Sequence, residues 1–258
     1  MKTIQFYKYQ GTGNDFVMID DRKEEFDIHA HDLIKSLCDR KFGIGADGLI
    51  LLENDDSSDF KMVYFNSDGN SSSMCGNGGR CLVAFANFLG IIDDKTSFNA
   101  IDGLHHAVIN RGMVSLQMID VLEIKTKPNA TFLDTGSPHH VQLVENLKDF
   151  KVQKEGAKLR YGLYGKKGSN INFVEQLSDS KFSVRTYERG VENETLSCGT
   201  GVTAVAIAMH NIGKTSSEQV TIEAVGGELK VQFNSNGNYS EVFLTGPAKQ
   251  VFKGEIKC

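Results

Sequence analysis

The sequence predicts an α/β protein of the α+β type: two pseudo-symmetric domains, each a mainly antiparallel sheet rolled around a central buried helix. Three observations predict it. First, residues 82–89 and 204–212 are apolar nearly all round, which marks buried helices, and Gly90 and Gly213 stop them. Second, each helix follows a cysteine and a glycine-punctuated start. One start is Met74-Cys75-Gly76-Asn77-Gly78-Gly79-Arg80, and the other is Ser197-Cys198-Gly199-Thr200-Gly201-Val202. The cysteines are 123 residues apart, and the same offset relates Gly13 to Gly136, Gly45 to Gly168, Gly90 to Gly213 and Gly103 to Gly226. A phase shared by turn, helix start and helix stop reads as a duplicated domain. Third, the rest of each half is a series of short strand-like runs between turn signals, so a sheet wraps the helix.

The elements follow in order. A strand over 4–9 meets the turn Gly11-Thr12-Gly13-Asn14-Asp15, then a second strand over 16–19. Residues 28–38 carry Ile28, Leu33, Ile34 and Leu37 at helical spacing, a surface helix. Gly43-Ile44-Gly45-Ala46-Asp47-Gly48 matches the dinucleotide fingerprint, but that motif needs a strand before it and a helix after. Here the helix precedes and the apolar run 49–52 follows as a strand, so the stretch is a tight glycine turn. A strand over 60–65 ends in the turn Asn66-Ser67-Asp68-Gly69 and a loop over 70–73. After the first buried helix come strands over 97–101, 105–110 and 113–118. The polar stretch Lys125-Thr126-Lys127-Pro128-Asn129 marks the linker, with domains expected at 1–119 and 120–247. The second half brings Phe132-Leu133-Asp134, the turn Thr135-Gly136-Ser137-Pro138-His139, and strands over 141–144, 170–174 and 182–187. After its buried helix come strands over 220–224, 228–233 and 241–244. A last strand over 250–256 lies outside the repeat, so 248–258 is expected to return to the first domain.

Bulk properties exclude several function classes. The net charge is −5 and no basic run stands out, so nucleic acid is not an expected partner. The N-terminal residues lack the apolar core of a secretion signal, and no apolar run is long enough for a membrane helix. Five cysteines, an odd number, form no disulfide framework in a chain of 258 residues, and a reducing cytoplasm is expected. Cys75 and Cys81 are six apart with no second pair to complete a zinc site, so no metal is expected. Cys38, Cys81 and Cys258 read as structural, as do His105, His106 and His140.

Cys75 and Cys198 each fall at the N-terminus of a buried helix, where the dipole and the first-turn N–H groups favour thiolate. If the two halves face each other about a pseudo-twofold axis, they offer one thiol from each side. The N–H groups form a ready carboxylate site. One thiolate would remove the α-proton and the opposite thiol would protonate the other face, inverting the centre. Dipoles aimed at the carboxylate would stabilise its enolate-like dianion more than the ground state. Such chemistry needs no cofactor, and no pyridoxal motif is present.

The pieces Gly13-Asn14-Asp15-Phe16, Gly43-Ile44-Gly45-Ala46-Asp47-Gly48, Cys75-Gly76-Asn77-Gly78, Tyr187-Glu188-Arg189-Gly190 and Cys198-Gly199-Thr200-Gly201 together resemble the diaminopimelate epimerase family, over the whole chain and in order. The resemblance implies interconversion of LL- and meso-2,6-diaminopimelate without cofactor, with Cys75 and Cys198 as acid and base. It implies that backbone groups of Gly76, Asn77, Gly199 and Thr200 hold the reacting carboxylate, with Asn14 nearby. It assigns Asn66, Asn170, Glu188 and Arg189 to the distal amino-acid end, and puts His139 near the catalytic pair. A guanidinium for a carboxylate and a carboxylate for an ammonium make chemical sense of that clamp. A homodimer is expected on the same ground. Two positions depart from the pattern: Ser137, where many members have asparagine, and Gly48, where some have glutamine. Three other functions stay open: a proline- or hydroxyproline-type racemase, which needs no charged distal clamp; a cysteine hydrolase pairing Cys75 with His139, which leaves Cys198 unexplained; and a non-catalytic amino-acid binder. His139, Asn66 and the Glu188–Arg189 pair also admit plain structural roles.

Overall fold

The computed structural model describes residues 3–72 and 74–258. The chain divides into two compact units, Met1–Leu116 with Gly246–Cys258, and Gln117–Thr245. Each is α+β, mostly sheet with few helices.

In the first unit, β1 (Thr3–Gly11) and β2 (Asn14–Asp20) form an antiparallel hairpin. Helix α1 (His31–Cys38) leads to β3 (Gly48–Glu53), parallel to β2, and β4 (Phe60–Asn66) returns antiparallel to β3. Helix α2 (Gly76–Phe88) then crosses to β5 (Lys95–Ala100), which is parallel to β4. An antiparallel meander through β6 (Gly103–Asn110) and β7 (Met113–Gln117) follows. Each helix therefore links two parallel strands, because parallel neighbours need a crossover that a tight hairpin cannot supply. Helix α2 is buried from Gly76 through Ala86, and apart from Asn77 and Arg80 the side chains of that span are small or apolar on every face. Phe85 is fully buried, its ring 4.9 Å from that of Tyr7. Phe85→Ala would cost about 3–5 kcal/mol by opening a cavity there.

The second unit repeats the plan. β8 (Ile124–Lys127), β9 (Ala130–Asp134) and β10 (Pro138–Leu143) are antiparallel neighbours. Helix α3 (Val152–Tyr164) crosses to β11 (Asn170–Ser178), parallel to β10, and β12 (Lys181–Glu188) is antiparallel to β11. The short β13 (Asn193–Thr195) precedes α4 (Gly199–Asn211), which crosses to β14 (Gln219–Ala224), parallel to β12. β15 (Gly227–Ser235) and β16 (Tyr239–Pro247) continue antiparallel. Val202, Val205, Ile207 and Met209 of α4 pack with Val141, Phe182, Ile222 and Val231 in one apolar core. The closing strand β17 (Lys249–Lys257) belongs to the first unit and pairs antiparallel with β1, from Thr3↔Lys257 to Gln10↔Lys249. No helix among the described residues is long and apolar enough to cross a membrane.

The internal repeat is visible in the backbone. Helices α2 and α4 start and end at the same offset of 123 residues. Gly13 and Gly136 have φ of 96° and 104°, and Gly90 and Gly213 both have 70°. The phase then slips by one: Gly103 (φ 123°) is matched by Gly227 (φ 140°), not by Gly226. Both close a two-residue hairpin, Ala100↔Gly103 and Ala224↔Gly227, so the extra residue lies between the α4 stop and β14.

Three local expectations are corrected. Residues 125–129, read as a linker, form the β8–β9 hairpin, because Lys127 and Ala130 pair across Pro128-Asn129. The helix expected over 28–38 begins only at His31, after a turn in which His29 donates its N–H to Asp27. Helix α3 had no counterpart in the sequence pattern, since it holds Gly156 and Gly162, poor helix formers. Gly156 is required by packing: a Cβ there would lie 2.4 Å from Tyr187 Cβ on β12.

Candidate active site

In the first unit, Cys75 is the N-cap of α2, with extended backbone (φ −113°, ψ 121°). No side chain caps the helix and its first turn holds no acidic residue. Helix geometry leaves the first-turn N–H groups without intrahelical acceptors, so this end is an electropositive cradle. Gly78 and Gly79 let Ile50, Met62 and Leu116 approach the helix, which buries its first turn. Asn77 donates from its amide to Asn14 Oδ1, and Asn14 Nδ2 donates to Asp47 Oδ2 at 3.0 Å. Asp47 and Asp15 both accept from Arg40, and Lys8 pairs with Asp15 at 2.8 Å. Burial raises the Asp15 carboxyl, but Arg40 and Lys8 outweigh it and hold the group near 2. The glycine turn over 43–48 thus supplies Asp47, the residue that fixes Asn14; sequence spacing marked the turn without marking that role.

Asn66 ends β4 directly opposite Gly48. Its backbone closes the following turn, donating to the Asn70 carbonyl and accepting from Gly69 N–H. At Gly48 a Cβ would fall 2.5 Å from the Tyr64 ring, so Tyr64 occupies the space a side chain would need.

In the second unit, Cys198 caps α4 with the same extended backbone (φ −122°, ψ 112°), again with no side-chain cap and no acidic first turn. Thr200 stands at the position matching Asn77, and its Oγ1 lies 3.4 Å from Cys198 Sγ. Around Thr200 the side chains of Ser137 and His139 converge, at 3.1 Å and 2.9 Å. The short Ser137 side chain reaches His139 Nε2 at 3.0 Å and accepts from Asn170 Nδ2 at 3.1 Å. Asn170 Oδ1 in turn accepts the Arg189 N–H at 2.8 Å, so one buried amide ties the Ser137 turn to the end of β12. Glu188 accepts from Thr195, and the exposed Arg189 guanidinium donates to the Lys167 carbonyl.

Asn172, absent from the sequence-based candidates, decides the state of His139. Its Oδ1 accepts from Thr186 Oγ1 and its Nδ2 donates to the His140 carbonyl, which fixes the amide's orientation. The same Nδ2 donates to His139 Nδ1 at 3.1 Å, so that nitrogen is an acceptor. The proton of neutral His139 is therefore on Nε2, facing Thr200 and Ser137. Burial, and then the charge of Arg189, lower the imidazole to about 3, so it is neutral at physiological pH. The one sequence signal for Asn172 is its position two residues after Asn170, on the same face of a strand.

Cys75 and Cys198 are both half-buried. Asn14 is brought to Asn77, two residues after Cys75, and Ser137, His139, Thr200 and Asn170 form the network beside Cys198. Asn66 lies at a strand end of the first unit, and Glu188 and Arg189 at a strand end of the second.

Comparison with known proteins supplies the family. The family model for diaminopimelate epimerase matches residues 6–108 and 131–251. The diaminopimelate epimerase of Flavobacterium psychrophilum is 63% identical over 256 residues, covering 98% of this chain and 100% of that protein. The chain belongs to the diaminopimelate epimerase family. The Chlorobaculum tepidum member is 41% identical, covering 95% of this chain and 98% of its own. Among solved structures, a PhzF-family phenazine biosynthesis protein from Bacillus anthracis superposes with a TM-score of 0.80 at 13% identity, each chain covered in full. A hydroxyproline epimerase from Agrobacterium vitis superposes with a TM-score of 0.73 at 12% identity, covering 98% of this chain and 92% of its own. At such identities these two share the family's fold, and the fold alone.

Proposed function

We propose that this protein is a diaminopimelate epimerase, interconverting LL- and meso-2,6-diaminopimelate with two cysteines and no cofactor. The observation that carries the reading is the 63% identity to a named epimerase along essentially the whole chain. The twinned helix starts supply the chemistry: two thiols, each capping a buried helix whose first turn carries neither a side-chain cap nor an acid. One cysteine as thiolate takes the α-proton, and the other as thiol delivers a proton to the opposite face. The electron pair left on the α-carbon delocalises into the carboxylate. In this reading N–H groups of Gly76, Asn77, Gly199 and Thr200, with Asn14, stabilise the growing charge, since helix-start N–H groups are fixed in direction before it develops.

The His139 network has a part in this reading. An Nε2–H donated to Thr200 Oγ1 orients the hydroxyl that meets Cys198, so the thiol keeps one direction through the cycle. Being neutral, His139 adds no charge that would bias the proton. For the distal, non-reacting end, Arg189 takes the carboxylate and Glu188 the ammonium, with Asn66 and Asn170 as amide partners. That clamp separates the proposal from a proline-type racemase, whose substrate has no second amino-acid end. Residence in the cytoplasm and a homodimeric assembly belong to the same proposal; sedimentation of the purified chain tests the second.

The test is incubation of LL-2,6-diaminopimelate in deuterated water. The expected result is α-deuterium in the product together with the meso isomer, with no added cofactor. Absence of both isomerisation and α-exchange would sink the proposal.

A further inference from the structure

Arg80 is the largest side chain to be fully buried in the first unit. It lies on α2, five residues after Cys75. Long helical side chains lean back toward the helix N-terminus, and this one does: Nη2 donates to Thr12 Oγ1 at 2.9 Å, and Thr12 in turn meets the first-turn residue Asn77. A Cβ built on Gly11 would touch Cys81 Sγ, the Asn77 carbonyl and Arg80 Nη2 together, so the guanidinium sits at the first turn. Its Nε and Nη1 have no hydrogen-bond partner. No carboxylate pairs with it among the described residues.

A guanidinium stays protonated in proteins. Buried without a counter-ion it is costly, and here it adds to the positive end of a helix dipole. Two ionisable groups feel its charge, the thiols of Cys81 and Cys75. Cys81 is fully enclosed, and burial pushes its thiol up to about 12 although Arg80 draws it down, so it is neutral. The carboxylates on the other elements packed on α2 are paired with other cations or exposed. On β1, burial raises the Tyr9 hydroxyl and keeps it neutral. On β2, Asp15 is taken up by Lys8 and Arg40. On β6, His105 is paired with Asp102. Also on β2, Asp20 is paired with Arg22, and on β3 Glu53 is paired with Lys61 while Ile50 is the side chain that meets Gly78. On β17, Glu255 is exposed, and Lys249, Lys253 and Lys257 are cations.

The second unit has no equivalent charge. The residue matching Arg80 is Thr203, whose hydroxyl donates back to the Gly199 carbonyl. The buried His139 is neutral, and Arg189, although its charge reaches His139, has an exposed side chain and follows β12 instead of lying buried on α4.

We propose that Arg80 is a positioning residue that holds Cys75 as the resting thiolate, leaving Cys198 as the resting thiol. Its buried charge breaks the symmetry of an otherwise twinned pair of helix starts. The inference rests on the two-cysteine reading above, and its test needs no turnover.

The test follows alkylation by iodoacetamide between about pH 5 and 9, with the Cys75 and Cys198 peptides quantified separately by mass spectrometry. Wild type, Arg80→Met and Arg80→Lys are compared as full-length protein. In wild type the Cys75 midpoint lies below that of Cys198. In Arg80→Met the Cys75 midpoint rises by a unit or more, about tenfold less thiolate at a fixed pH below both midpoints, while Cys198 stays in place. Arg80→Lys keeps most of the original value. A Cys75 midpoint at or above that of Cys198 in wild type overturns the proposal, and this comparison decides it even where Arg80→Met does not fold. So does an Arg80→Met protein whose Cys75 midpoint is unchanged, or one in which both thiols move together, as a purely structural role predicts. If Cys75 titrates low but diaminopimelate is not epimerised, the function fails and the role of Arg80 stands.

Discussion

His139 makes the protein sensitive to acid in a window where carboxylates do not yet titrate. Its imidazole is fully buried and neutral, displaced from 6.5 to about 3 by burial and then by the charge of Arg189. The sign follows from proton counts. Below 6.5 the unfolded chain binds a proton at this histidine and the native chain does not, so native stability falls as pH drops, and keeps falling down to about 3. The slope is about 1.4 kcal/mol per pH unit, which makes the contribution about 2 kcal/mol smaller at pH 5 than at pH 7. The perturbation is His139→Gln, which removes the titrating group and keeps polar atoms for Asn172 and Thr200. The assay is urea unfolding of both proteins at pH 7 and pH 5, with the m-value checked for constancy. Wild type should lose about 2 kcal/mol more than the variant between the two pH values. Asp15 does not interfere, because its carboxyl titrates lower, between 3.8 and about 2. His140 is also lowered by burial, but it is present in both proteins and cancels. Parallel losses in the two proteins would refute the reasoning. So would an NMR spectrum showing a His139 imidazolium in native wild type at pH 5.

Three further outcomes are expected. Cys75→Ser and Cys198→Ser should each still exchange the α-proton of one stereoisomer and be nearly inert toward the other, with opposite preferences, because serine is too weak an acid to act as base at neutral pH; deuterium exchange by each variant on each isomer measures this, and equal loss from both isomers contradicts the two-base assignment. Arg189→Lys should lower kcat/KM for diaminopimelate at least tenfold, about 1.4 kcal/mol, since an ammonium lacks the planar fork for a carboxylate; unchanged kinetics would remove Arg189 from the distal clamp. Gly201→Ala should destabilise the second unit by about 1–3 kcal/mol through overpacking, because its Cβ would lie 2.7 Å from Asn172 Oδ1 and 3.3 Å from His139 Cε1; an unchanged midpoint in a urea melt counts against that packing.

Much of the protein is written in local pattern. The twin helices were legible because an all-apolar run bounded by glycine is a property of a dozen consecutive residues, and the offset needed only counting. Cys75 and Cys198 were legible as N-caps for the same reason, and the position of the glycine turn over 43–48, between helix and strand, was enough to reject a dinucleotide site. What local pattern lacks is partners. Helix α3 escaped because Gly156 answers to Tyr187, a residue 31 positions away. The parallel neighbours β2–β3 and β10–β11 depend on register between segments that no periodicity relates. Asn172 looks like any strand asparagine until Thr186, His140 and His139 surround it. Arg80 reads as one polar residue at a helix start, and only the closed first unit strips its guanidinium of water and carboxylates. The sequence alone determined that two cysteines start twin buried helices, because helix position and residue type are local properties; the tertiary structure decided the proton state and tautomer of His139, because burial and hydrogen-bond partners come from contacts distant in the chain.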